Sequence, residues 1–575
     1  MTTNESGAND KKPGWAAHFI PLLDWAPEYQ REWLRLDLIA GLTVTALVVP
    51  KALGYAGIAG VPIQYGLYAA AAGAILYAIF GTSRQISTGP SSALAAVAGS
   101  AVIVAGLSSS EETVALVAAI TFVTGILFLL LALFKMGWIS QFLSKAVITG
   151  FLFGAAIEVV IGELPKITGT TAEGENAWQD LISWLGTLPD TDWATLLVGL
   201  VSLVVIFGLR RAAPRVPGSL VLVIGGLVAS AALGLEELGI AMVGDVPSGM
   251  PTIVLPDLEF VIDNLQVIVV ASLGLLLIGF SQSAGDARAF AAKHKYRVDI
   301  NQESVAQGMA NVGSGLVQGI PVSTSLSASS LNDTSGAKTP VASLTTGTLI
   351  ILTLLFLAPL FSDLPQAVLA ALIIEAVVMG MMDVVEMRRL YHVKRVDFWI
   401  ACAAIFGVLS AGVLAGVLIG ILLSIVWLIF ISATPHMHVL GRKPGTHVFQ
   451  GVDDHPDSQT FPGLLVLRFD AGLFFASADA LVDRLIELYH QADPKLHTIV
   501  LDFEGVNFID SQGAATLDGL IELARSRDIE LRLSRLKTDV KEVLQRDGFV
   551  ERLGESRIYG DIYEAIEDVI PEEVK

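Results

Sequence analysis

Apolar residues run in long blocks from residue 38 to residue 433, and beyond Pro435 the pattern becomes that of a soluble domain. Within the first stretch, apolar segments fall at 38–58, 65–81, 88–107, 112–134, 142–163, 192–211, 217–234, 265–287, 301–318, 322–334, 340–361, 364–382, 397–411 and 412–433, fourteen in all. Hydrocarbon offers no water to satisfy backbone N–H and C=O groups, so such segments predict membrane helices. Several fall short of the ~20 residues that a full span needs. The third and the tenth are also interrupted by Gly, Pro, Ser and Thr, and each is third in a set of seven. Matching breaks in two halves of a membrane protein point to a binding site between them.

Past the apolar tract the periods shorten. LLVLRFD and LFFAS read as strands, ALVDRLIELYH as a helix, and HTIVLDFEGVNFID as a strand with its turn. SQGAATLDGLIELARSR then reads as a helix, IELRLS as a strand and TDVKEVLQRDG as a helix. That alternation predicts a small α/β domain. The expected organisation is a cytosolic segment over 1–36, a transmembrane domain over 37–434, and a linker with a cytosolic domain over 435–575. Residues 1–12 read as a disordered tail, and the mixed aromatic and charged stretch Trp15–Leu36 as either an interfacial segment or a plain solvated lead-in.

Composition sharpens this picture. The chain is 53% hydrophobic and 16% charged, against about 25% charged in ordinary soluble domains. Its net charge of -20 is concentrated in the C-terminal domain and a few loops, which argues against nucleic acid as a partner. Cys402 is the single cysteine, so neither an intramolecular disulfide nor a cysteine metal cluster is available. No phosphate loop is present and the histidines are scattered, which argues against ATP drive and against enzyme activity. No cofactor is implied. With the N-terminus inside, the inner loops hold Arg84, Lys135, Arg210, Arg211, Arg388 and Arg389, whereas the outer loops hold Lys166 among acids such as Glu111, Glu173 and Glu236. This asymmetry places both the N-terminus and the C-terminal domain in the cytoplasm of a multi-pass inner-membrane protein.

The broken segments carry the candidate chemistry. In GTSRQISTGPSSALAAVAGS (81–100), Pro90 and the Ser91-Ser92 pair suit a helix start. GIPVSTSLSASSLNDTSG (319–336) carries Ser323, Thr324, Ser325, Ser327, Ser329 and Ser330 at membrane depth. Two half-helix N-termini facing each other would present positive dipole ends and free N–H groups to an anion. Small hydroxyl residues also let helices pack closely; the repetition in two equivalent segments favours the site. Polar residues inside apolar segments add to it: Lys51, the pair Gln282 and Asp286 one helical turn apart, and Glu158. A charge in the membrane faces a cavity or a partner. Lys51 and Asp286 either neutralise each other or act separately, with Asp286 alternatively at the inner membrane surface. Glu158 reads as a packing or interfacial residue.

At this point the motifs resemble a known family. DLIAGLTVTALVVPKALGYAGIAGVPIQYGLYAA (37–70), GTSRQISTGPSSALA (81–95) and FAAKHKYRVDINQESVAQGMANVGSGLVQGIPVSTSLSASSLNDTSGAKTP (290–340) are similar to signatures of the SulP (solute carrier 26) anion transporters. FEGVNFIDSQGAATL (503–517) resembles the core motif of the STAS domain. The resemblance covers nearly the whole chain. It implies an α-helical polytopic fold of two inverted seven-segment repeats, forming a core that carries substrate past a gate, plus the α/β STAS domain. It implies a substrate site made by Lys51, Tyr55, Ser91, Ser92, Gln282, Ser325, Leu326 and Ser327, with Asp286 beside it. Many members have Gln at the position of Lys51, Glu or Asp at that of Gln282, and some have Arg at that of Ala328. The expected function is therefore secondary transport of small anions (sulphate, bicarbonate, chloride or a dicarboxylate). Lys51 would supply positive charge, and Asp286 would bind a coupling H⁺, or Na⁺ with help from Ser323 and Thr324. Burial favours the neutral acid at Asp286, whereas a nearby cation favours the carboxylate. An uncoupled exchanger or channel, and a membrane-tethered signalling protein, are the alternatives. In the STAS motif Ser511 matches a phosphorylated serine of anti-sigma antagonists; Ser or Asp at this helix start, in Asp510-Ser511, is also a natural N-cap, and the capping reading is the favoured one. The expected partners are a small anion, the lipid bilayer and a second copy of the chain.

Overall fold

A computed structural model of the protein describes residues 20–107, 109–136, 144–174, 176–213 and 216–570. The expected tail over 1–12, and the lead-in as far as residue 19, lie outside these residues. The chain forms two compact units, Met1–Ser424 and Ile425–Lys575.

The first unit is helical. Its elements run α1 (Trp33–Ile58), α2 (Gln64–Phe80), β1 (Thr88–Pro90), α3 (Ser92–Ala105), α4 (Ser110–Leu133), α5 (Lys145–Thr168), α6 (Ala177–Thr187), α7 (Trp193–Ala212) and α8 (Gly218–Leu233). They continue with α9 (Leu265–His294), α10 (Ile300–Leu316), β2 (Val322–Thr324), α11 (Leu326–Thr334), α12 (Val341–Phe356), α13 (Gln366–Met381), α14 (Val384–Val393) and α15 (Arg395–Ala433). Among the described residues, eight helical stretches are long and apolar enough to cross a membrane. Four shorter apolar helices, α2, α3, α8 and α12, accompany them. With α10 and α11 these account for the fourteen predicted segments. The break between the last two falls at Ala411–Gly412, inside α15. Gly412 has φ 81° there, and an added Cβ would meet Ser100 Oγ at 2.7 Å, so the position requires glycine. The observed ends differ from the expected ones: α1 begins at Trp33 and α9 continues to His294, so Asp286 lies more than a turn inside its helix.

Packing divides the helices into the two expected groups. α10 packs against α4 and α2, α12 against α2 and α1, and α9 against α4, forming the core. α13 packs against α5 and α7, forming the gate, and meets α1 of the core. Small residues bring the core helices together: an added Cβ at Gly125 of α4 would lie 2.5 Å from Val312 N of α10.

The broken segments meet at β1 and β2. These pair antiparallel in the register Thr88↔Thr324, Gly89↔Ser323 and Pro90↔Val322. Each strand runs straight into a helix, so α3 and α11 leave the crossing in opposite directions with their N-termini turned toward it. Polar side chains of α10 hold the crossing in place. Asn311 donates from Nδ2 to Val322 O at 2.9 Å and accepts from Val322 N at 3.0 Å, while Gln307 Nε2 donates to Thr88 Oγ1 at 3.1 Å. Glu303 fixes the loop before β1, accepting from Tyr77 Oη at 2.5 Å, Thr82 N at 2.9 Å and Ser83 N at 3.2 Å. Each would otherwise leave a buried polar group unpaired.

The second unit is an α/β domain around a six-stranded sheet of order β4-β3-β5-β6-β7-β8. Its strands are β3 (Met437–Arg442), β4 (Phe449–Gly451), β5 (Leu464–Phe469), β6 (Thr498–Asp502), β7 (Glu530–Ser534) and β8 (Ile558–Tyr559). β5 to β8 pair in parallel and β3 antiparallel. Helices α16 (Ala478–Gln491), α17 (Ser511–Ser526) and α18 (Thr538–Asp547) accompany them, and Phe469, Phe503 and Phe549 are fully buried in the core. LFFAS is not a strand. Leu473 makes one isolated bridge to Ile509, and Ser477 Oγ then bonds back to Gly472 O at 2.8 Å, closing a turn before α16. The sheet also takes β3 and β4 from the stretch that reads as linker in the sequence.

Candidate functional site

At the crossing of the broken segments lies a cavity of about 590 Å³. α1 contributes Lys51 and Tyr55, and Pro50 just before Lys51 interrupts the helical hydrogen-bond ladder. The start of α3 contributes Ser91, Ser92 and Ala93, and the start of α11 contributes Thr324, Ser325, Leu326 and Ser327. α9 contributes Gln282 and Asp286 from one face, as their spacing requires. The structure thus gathers every expected substrate residue, together with Asp286 and Thr324, around one space. Ser323 does not line it; its hydroxyl lies 3.4 Å from Ser283 Oγ in the protein interior.

Both helix starts open on this cavity. Ser91 caps α3 in an extended conformation, and the first ladder bond runs from Ala95 N to Ser91 O, so the N–H groups of Ser92, Ala93 and Leu94 precede the ladder. Ser325 caps α11, accepting from Ala328 N at 3.4 Å, and the first ladder bond there runs from Ser329 N to Ser325 O. Ser325 N is itself tied to Ser87 O at 3.0 Å, which anchors the start of α11 to the segment leading into β1. The two helix ends therefore direct backbone N–H groups and positive partial charge into the same space.

The charged groups are held apart. Lys51 Nζ donates to Ser327 Oγ at 3.3 Å, and Asp286 Oδ2 accepts from Thr324 Oγ1 at 2.8 Å. No ion pair joins Lys51 to Asp286 among the described residues, so mutual neutralisation is not their arrangement. Gln282 Oε1 is buried and has no hydrogen-bond partner among the described residues. Glu158, on α5 and not among the residues lining this cavity, also has a buried oxygen without a partner among the described residues.

Two charged lining residues escaped the sequence reading of the site. Arg210, assigned there to an inner loop, is in α7, and its Nη1 donates to Glu375 Oε1 of α13 at 2.5 Å. Both line the cavity and also a second one of about 440 Å³, which shares Lys51 and Ser327 and continues to Val216, Pro217 and Gly218. The signal for Glu375 was available: it is a lone acid inside ALIIEAVVMG.

The sequence profile described as the sulfate permease family matches residues 34–404, and that of the STAS domain matches residues 455–568. The chain belongs to the sulfate permease family. Among its relatives, a probable sulfate transporter of Mycobacterium tuberculosis is 33% identical over 549 residues, spanning 94% of this chain and 98% of the relative. Sulfate transporter 4.1, chloroplastic, of Arabidopsis thaliana is 31% identical, spanning 96% of this chain and 83% of the relative. The chain also shares its fold with the murine Solute Carrier 26 family member A9 anion transporter in the inward-facing state, at TM-score 0.87 and 22% identity over 98% of this chain and 96% of that one. The transmembrane domain of a cyanobacterial bicarbonate transporter, BicA, matches at TM-score 0.59 and 22% identity over 69% of this chain and 98% of that one.

In the STAS unit, Ser511 is exposed as the first residue of α17. Of the two expected cap residues it is Asp510 that caps, its Oδ1 accepting from Gly513 N at 2.8 Å and its Oδ2 from Phe475 N at 3.0 Å. A carboxylate accepts two backbone N–H groups at once, which one hydroxyl does less well.

Proposed function

We propose that this protein is a secondary active transporter of small anions, with a sulfate-like oxyanion as its cargo, and that Lys51, Tyr55, Ser91, Ser92, Gln282, Ser325, Leu326 and Ser327 bind it. The observation that carries this reading is the cavity onto which both half-helix starts and the Lys51 side chain open together. An oxyanion there accepts N–H bonds from both helix ends, while Lys51 supplies a full charge. The names of the relatives favour sulfate. The second cavity runs from Lys51 toward Pro217, on the side of the basic loops. This supports an arrangement open to the cytoplasm, with the N-terminus and STAS domain on that side of the inner membrane. Movement of the core past the gate then exposes the cavity to the opposite side. The transport domain spans 37–434, the STAS domain supports homodimer assembly, and no cofactor takes part.

Coupling falls to Asp286. Among the described residues its carboxylate meets one hydroxyl, Thr324 Oγ1, and no cation. Hard metal cations take several oxygen ligands, so a proton suits this setting better than Na⁺. Ser323, turned toward Ser283, is withdrawn from any such ligand set. Protonation and anion loading together leave less net charge to carry across the bilayer. The test is radiolabelled uptake into proteoliposomes with a panel of oxyanions and imposed H⁺ or Na⁺ gradients. Sulfate accumulation driven by an inward proton gradient is expected, and Asp286→Asn is expected to abolish the gradient dependence. Unchanged gradient dependence in that variant removes Asp286 from the coupling role.

A further inference from the structure

The core side of the cavity, with Lys51, Asp286 and the two helix starts, is matched by charge on the gate side. Arg210 and Glu375 both belong to gate helices, bond to each other at 2.5 Å, and line both cavities. Half of the Arg210 side chain is exposed, whereas Glu375 is 10% exposed. Because Glu375 is buried, removing Arg210 alone would strand a carboxylate. The Arg210 guanidinium keeps further N–H donors beyond the Nη1–H given to Glu375, in the planar fork that suits an oxyanion.

Counting formal charges, Lys51 and Arg210 balance Asp286 and Glu375. A monovalent anion is served by Lys51 and the helix starts. A divalent anion gains from a second cation, and the one within this cavity is Arg210, held by Glu375. We propose that Arg210 is a second anion-binding residue, that Glu375 is an internal anion competing for it, and that this pair sets the preference for divalent over monovalent anions. This inference rests on the anion-transport reading above. In it, an arriving dianion takes N–H donors of Arg210 from the Glu375 carboxylate, which keeps the pair closed when the cavity holds a monovalent anion.

The experiment is radiolabelled sulfate uptake into proteoliposomes of the full chain, competed by unlabelled sulfate and by chloride. The ratio of the two half-inhibiting concentrations reads divalent preference, which a merely structural pair would not move. Arg210→Gln combined with Glu375→Gln removes both charges and leaves none stranded. Its chloride-to-sulfate ratio is expected to fall about tenfold, the loss of one charged hydrogen-bond partner. Glu375→Gln alone frees Arg210 and is expected to tighten sulfate about as much. A ratio in the double variant within twofold of the unaltered protein overturns the inference and leaves the transport reading standing. If the double variant takes up no sulfate, the single variant decides: tighter sulfate supports the inference, and unchanged or weaker sulfate overturns it. Unaltered protein that takes up no anion overturns both readings.

Discussion

Replacing Lys51 by Gln isolates the charge of the site from its shape. Gln is nearly as long, and it occupies this position in many members that the sequence resembles, so the fold tolerates it. The ammonium is bonded to a neutral hydroxyl, Ser327 Oγ at 3.3 Å, and is not part of any ion pair among the described residues. Its charge is therefore available to the cargo. A unit charge pair at about 4 Å in an effective dielectric of about 20 interacts by about 4 kcal/mol. Stripping water from the ammonium and the anion offsets part of this, leaving about 1.5–3 kcal/mol for one charged hydrogen bond. That corresponds to a rise of roughly ten- to a hundredfold in the half-saturating sulfate concentration. The helix starts remain in Lys51→Gln, and each contributes about 0.3–1 kcal/mol, so uptake persists at high sulfate. The assay is initial-rate uptake of radiolabelled sulfate into proteoliposomes across a wide concentration range, with the reconstituted amount held equal. A half-saturating concentration within twofold of the unaltered protein refutes the assignment of charge compensation to Lys51.

Further outcomes follow from other parts of the structure. Asn311→Ala leaves the N–H and C=O of Val322 unpaired in the interior; at about 1–3 kcal/mol for each stranded group, the apparent unfolding temperature of the membrane domain falls by several degrees, and an unchanged value contradicts the bracing role. Gly125→Leu drives a side chain into the α10 backbone, where a Cβ alone would meet Val312 N at 2.5 Å, so correctly folded protein recovered by size-exclusion chromatography drops sharply; normal recovery contradicts the close crossing. Asp510→Ala removes the α17 cap and costs about 1 kcal/mol locally, which hydrogen exchange at the first turn of α17 reads as several-fold faster exchange; Ser511→Ala leaves that turn unchanged, and the opposite pattern returns the cap to Ser511.

Much of the architecture was legible because the membrane enforces it. Apolar runs must be helical in lipid, and the Ala411–Gly412 break falls where the pattern divides the last two segments. The Pro90-Ser91-Ser92 and Ser325 starts were legible because helix caps use few residue types. Gln282 and Asp286 followed from helical spacing alone. What was hidden depended on contacts across the fold. Arg210 sits at the last turn of α7 and reads as a loop cation until Glu375, distant in sequence, is seen beside it. Ser323 and Thr324 are neighbours on one strand, and strand alternation sends them opposite ways: one toward Ser283, the other toward Asp286. LFFAS carries strand-like residues, but Ser477 bonding to Gly472 O turns the chain there. β3 and the edge strand β4 were missed because burial along them does not alternate from residue to residue.

The most direct test is to locate the anion itself. A cryo-electron microscopy map or anomalous diffraction with selenate, a heavier analogue of sulfate, shows where a tetrahedral dianion binds. It is expected between the starts of α3 and α11, within hydrogen-bonding reach of backbone N–H groups at Ser92 or Ala93 and at Leu326 or Ser327, with Lys51 beside it. Selenate bound elsewhere in the membrane domain, with those helix starts unoccupied at saturating concentration, contradicts the account.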